Sequence, residues 1–163
     1  MSTSAVPGRI PPKPMTALGR AREVIRLVAA RLSDVDGWAE VASAQSPTLV
    51  VIDQAVDLRR TLADAAYLAR SVLEDVPTAH AWIETRLAAA AVASLLDAAG
   101  HTVSPVATAL CRQDDLHGTA QLSAGMTRRF LMAASAAAAD LRGLLEHASP
   151  AAGPGRQHLW AVP

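Results

Sequence analysis

SPTLVVIDQAVDLRRTLADAAYLARSVLEDVP, residues 46–77, is the stretch whose reading decides the fold. Val51, Ala55, Leu58, Leu62, Ala65, Ala69, Val72 and Val76 recur at alternating steps of four and three, which puts one apolar seam on a long α-helix. The positions between them hold Asp53, Asp57, Arg59, Arg60, Asp64, Arg70 and Glu74, so the opposite face is charged. Ser46 is the expected N-cap, and Pro47 suits the first helical position, where its missing N–H costs nothing. Pro77 closes the segment.

The same period extends outward in both directions. Ala21, Ile25, Val28, Leu32, Val35, Ala39 and Ala42 form a preceding seam, with Thr16 as its cap. After Pro77, Thr78 is expected to cap a third helix that turns Trp82, Ile83, Leu87, Ala90 and Leu96 inward and ends at Gly100. A short extra helix from Pro105 to about Arg112 is expected within the 100–118 connection. A fourth long helix from about Thr119 to Ala148 carries Leu122, Met126, Phe130, Ala133, Ala137, Leu141 and Leu144. Short links force each helix back along its neighbour, so the expected class is all-α: an antiparallel, up-down-up-down four-helix bundle. The bundle occupies residues 16–148, between a disordered proline-rich arm (1–15) and a flexible tail (149–163).

Composition supports helices over strands. Of the 163 residues, 36 are alanine, and aromatics make up only 3%. Alanine is the best helix former and a poor strand former. Fifteen basic residues balance fifteen acidic ones, which excludes a global field for nucleic acid or an anionic membrane. Fourteen of the fifteen bases are Arg and Asn is absent, a GC-rich coding bias of the actinobacterial kind. Cys111 is the single cysteine, so no internal disulfide can form and a cytoplasmic location is expected. No membrane segment is expected.

The topology would gather charge at its two poles. Arg20 and Arg22 oppose their helix dipole and should meet Glu74, Asp75 and Glu146. The other pole collects Asp34, Asp36, Glu40, Asp53, Asp57, Asp97, Asp114 and Asp115, with His101, Cys111 and His117 nearby. Carboxylates and imidazoles together are what a cation site needs, but no pair has ligand spacing. Solvated and capping acids are the preferred reading, with no metal and no cofactor. Cys111 and His117 stand six residues apart, which points them to different helix faces rather than into a nucleophile–base pair. There is no phosphate loop and no nucleophile elbow, so an enzyme is not expected.

Several segments remain as carriers of function. Leu159, Trp160 and Val162 form an apolar cluster in the tail that either docks back on the bundle or binds a protein partner, and Trp38, beside the first seam, is read as a boundary core residue with an exposed contact patch as the alternative. Paired alanine runs, Ala88–Ala91 and Ala136–Ala139, suit either close packing or association with a second copy. Residues 119–131, with Gly125, Thr127, Arg128 and Arg129, resemble a degenerate helix-turn-helix. With Arg9 and Lys13 of the basic N-terminal region, they are the alternative: a DNA-associated regulator. The preferred expectation is a non-enzymatic helical interaction or regulatory protein, binding a protein partner or itself through a helix face or the tail.

Overall fold

The computed structural model describes residues 15–43, 48–112 and 116–148, with the side chains of 15–35, 53–105, 118 and 122–148. Four α-helices pack together: α1 (Ala17–Ser43), α2 (Thr48–Asp75), α3 (Ile83–Arg112) and α4 (Leu116–Ala148). No strand occurs among the described residues. α1 packs on α2 and α4, and α3 packs on the same two, so the helices form a ring around one core. The proline-rich arm up to residue 14, the Ser46–Pro47 cap and the tail from residue 149 lie outside the described residues.

α1 starts where its cap predicts. The Gly19 N–H donates to Thr16 Oγ1 at 3.1 Å, and the Arg20 N–H donates to the Thr16 carbonyl at 2.9 Å. α2 buries Ala55, Leu58, Leu62, Ala65, Ala69 and Val72, with Val76 just beyond its end, as its seam predicts. Two neighbouring helices cap its last turn with cations. Arg20 Nη1 donates to the Ser71 carbonyl at 2.6 Å, while Arg86 Nη1 donates to the carbonyls of Leu73 and Val76 at 2.9 and 3.0 Å. Helix C-termini leave such carbonyls without intrahelical donors. Arg86→Ala is therefore expected to cost about 1 kcal/mol, read as a lowered urea midpoint with an unchanged m-value.

The second half of the chain departs from expectation in its boundaries. Thr78 does not cap α3; a 3-10 turn at His80–Trp82 leads into it, with no side-chain cap. Gly100 does not end the helix, and no separate short helix follows it. α3 runs on through Gly100 and Pro105 to Arg112 as one element. Proline removes the donor to the carbonyl four residues back and crowds that turn. The loosened turn is held from outside: Ser123 Oγ of α4 donates to the Thr102 carbonyl, and Thr102 Oγ1 lies 2.7 Å from Thr127 Oγ1. The carbonyl that Pro105 leaves without its intrahelical donor is that of His101, one residue before the Thr102 carbonyl that Ser123 engages. α4 then begins at Leu116, earlier than the expected Thr119.

The larger correction is rotational. In α3 the buried residues are Thr85, Ala89, Val92, Ala93, Leu96, Ala99 and Val103, whereas Ile83, Leu87 and Ala90 are exposed. In α4 the buried set is Ser123, Ala124, Thr127, Leu131, Ala134, Ala138, Leu141 and Leu145. Leu122, Met126 and Ala133, expected inside, are exposed. In α1, Ala21, Val24, Val28 and Val35 are buried, while Ile25 and Leu32 are half-buried. Thr127 is fully buried, which its hydroxyl tolerates because the Ser123 carbonyl lies 2.8 Å away.

Candidate functional site

The rotation leaves α3 and α4 with a second apolar stripe facing away from the core. On α3 the exposed residues step by four and three through Ile83, Leu87, Ala90 and Ser94, then on to His101 and Pro105. On α4 they step through Leu122, Met126, Arg129, Ala133, Ala136 and Asp140. Leu122 is 72% exposed and Leu87 64%, values that a core leucine never shows. A helix with one apolar stripe needs one partner surface; a helix with two needs another. α2 offers the contrast, since its outer face is mostly charged, with Val56 and Tyr67 as scattered exceptions.

At one end the α3 stripe runs into an open groove of about 510 Å³ beside the α2–α3 turn. Leu73, Ile83, Leu87 and Ala90 give it apolar walls, with Thr78, His80 and Arg86 at its edge. The Arg86 guanidinium is already engaged by the α2 carbonyls, so the groove offers an apolar shelf rather than an anion site.

Charge organises the bundle ends. Arg20 pairs with Asp75 at 3.0 Å and Arg22 with Glu146 at 3.1 Å, as expected for the first pole, while Glu74 is exposed. Arg31 bridges Asp34 at 2.6 Å and Asp57 at 3.1 Å, and Arg70 pairs with Asp97. Asp34, Asp57 and Asp97, three acids of the second pole, are thereby neutralised by arginines rather than poised for a cation. His101 and Asp53 are exposed; the side chains of Asp36, Glu40, Cys111, Asp114, Asp115 and His117 lie outside the described residues. Among the described residues no group of three metal-ligating side chains assembles. Glu23 accepts two hydrogen bonds from Arg26 at 2.6 and 2.8 Å, and that bonding holds its carboxyl below the ordinary range. Its small stabilisation is complete above the ordinary glutamate range and is lost as the pH falls through the lowered value.

The structure sorts the sequence candidates. Arg128 and Arg129 are exposed on α4, Arg128 beside the Met132 sulfur at 3.6 Å. The turn expected of a helix-turn-helix is not there: α4 passes through residues 119–131 unbroken, with Gly125 inside it. Trp38 lies in α1, its side chain outside the described residues, as are Arg9, Lys13, Leu159, Trp160 and Val162. Sequence reasoning missed the outer stripe because it assigned those same residues to the core. The available signal was the excess of apolar positions on α3 and α4 over what one seam needs.

The stretch His80–Pro105 is long and apolar enough to cross a membrane by length and composition, with mean hydropathy 1.3 and a third of that window buried. Arg86 and Asp97 within it both bond to α2, which is the behaviour of a bundle helix. No protein-family model, curated protein or solved structure matches the chain.

Proposed function

We propose that this chain is a non-enzymatic interaction or regulatory protein of the cytoplasm, and that it binds a protein partner through the outer face of α3 and α4. The observation that carries the reading is the second apolar stripe: Ile83, Leu87, Leu122 and Met126 are held in water by helices whose other faces already fill the core. The lone Cys111 supports the compartment. The tail cluster of Leu159, Trp160 and Val162 is a second proposed contact, on composition alone.

The helices alternate in direction around the ring. Arg20 at the start of α1 pairs with Asp75 at the end of α2, and Arg31 further along pairs with Asp57, earlier in α2. Arg22 meets Glu146 at the end of α4, and only three residues separate α3 from α4. These contacts support an up-down-up-down arrangement, which sets α3 and α4 side by side, each with its own outer stripe.

The test uses Leu87→Glu with Met126→Glu. Both positions are exposed, so stability is expected to change by no more than about 0.5 kcal/mol. The wild-type chain, used as bait in an extract of its source cells, retains partners that the double variant loses. Equal retention by both would sink the reading, as would unfolding of the variant.

A further inference from the structure

We propose that the partner seated on this face is a second copy of the same chain, paired in an antiparallel twofold. The inference rests on the reading above and names its partner. The outer stripe of α4 is self-complementary in size and charge. It continues past Asp140 through half-buried Gly143 to exposed His147. Turning a copy end for end about a point between Ala133 and Ala136 sets Arg129 opposite the partner's Asp140, and Asp140 opposite the partner's Arg129. The same operation places Met126 against the partner's Gly143, a large side chain over a missing one. Leu122 meets the partner's His147, while alanines fill the centre, where helices can approach at about 8 Å.

Charge decides the direction. Arg129 and Asp140 are both exposed, and among the described residues neither has an ion-pair partner within its own chain. A parallel pairing would stack Arg129 on Arg129 and Asp140 on Asp140. The antiparallel one neutralises both, twice over.

α3 obeys the same axis. Thr102 touches Thr127, and counting in opposite directions from that contact brings the α4 midpoint level with Ser94. About Ser94 the α3 stripe is also self-matching: Ile83 faces the partner's Pro105, Leu87 the partner's His101, and Ala90 the partner's Ala98. Two stripes on separate helices thus share one twofold, which neither needed to satisfy for the sake of the core. From Leu122 to His147 the stripe is roughly 38 Å long at 1.5 Å per residue. Two helices at about 10 Å each make the face about 20 Å wide, hence close to 800 Å² per subunit, the size of a standard stable interface.

The experiment is sedimentation equilibrium of the full chain, wild type against Arg129→Asp, Asp140→Arg and the double swap. The wild type is expected at twice 17.0 kDa. Each single variant puts like charges together at two places and raises the dimer Kd by about 100-fold or more, and the double swap restores it to within about threefold. Circular dichroism is expected to be unchanged throughout, since both side chains lie on the surface. A wild-type chain still monomeric at about 1 mM, a Kd indifferent to the single reversals, or no rescue by the swap overturns the pairing. A monomer that floats with neutral phosphatidylcholine vesicles also overturns it and assigns the face to a bilayer. Failure here is separable from failure of the broader reading: loss of a different partner on Leu87→Glu with Met126→Glu leaves that reading standing.

Discussion

Leu131→Ala lowers the stability of the bundle by about 3–4 kcal/mol, whereas Leu122→Ala, nine residues earlier on the same helix, changes it by less than about 0.5 kcal/mol. Both leucines belong to α4, and both fit a helical period. Leu131 has no exposed surface, and its truncation leaves a cavity ringed by core residues that only partly collapse. Leu122 keeps most of its surface in water, so truncation removes little burial. Urea unfolding monitored by circular dichroism reads the difference as a large drop in midpoint for one variant and almost none for the other. Equal losses would mean that α4 is turned by about 100°, one residue step. The outer stripe and everything argued from it would then disappear. The comparison is made at low protein concentration, because in the proposed dimer Leu122 gains a partner and its truncation weakens association instead.

The contrast shows where the fold was legible in sequence and where it was not. α2 could be oriented from its residues because Asp53, Asp57, Arg59, Arg60, Asp64 and Arg70 leave a single face for burial. The pairing of Arg20 with Asp75 was legible for a related reason: arginines in a first turn and acids in a last turn each oppose a dipole, and pairing between the start of α1 and the end of α2 relieves both. α3 and α4 lacked that constraint. Their alanine runs satisfy any rotation, so large side chains such as Leu87 and Met126 drew the seam to themselves. What fixes the true rotation is non-local. Thr127 is acceptable inside because its hydroxyl bonds the Ser123 carbonyl one turn earlier and also meets Thr102 of α3, and that second contact is one that no window of sequence contains. The same holds for Pro105. Local chemistry reads it as a boundary, yet α3 passes through it to Arg112, with a Ser123 hydroxyl from α4 bonded on the same turn. The candidate site followed the fold in this: its residues were recognised as apolar and periodic but credited to the wrong side of the helix.

Gly100→Ala combined with Gly125→Ala raises stability by about 2 kcal/mol, about 1 kcal/mol per site. Each glycine lies inside a helix, and a methyl group added at either meets no atom within 4 Å. Nothing in the folded state opposes the change, while the unfolded chain loses conformations it would otherwise have to give up. The sites are on different helices with no shared neighbour, so the gains should add. For a domain of this size the pair is expected to raise Tm by roughly 4–8 °C in a thermal melt. Gly143 is the exception among the open glycines, since a methyl there would meet the partner's Met126 in the proposed dimer. The sign of the effect carries the weight. Had Gly100 ended its helix in the left-handed conformation, or Gly125 formed the corner of a helix-turn-helix, alanine at either would cost about 1 kcal/mol. A gain at both positions is the result that continuous α3 and α4 require, and a loss at Gly125 would restore the turn on which a DNA-reading segment depends.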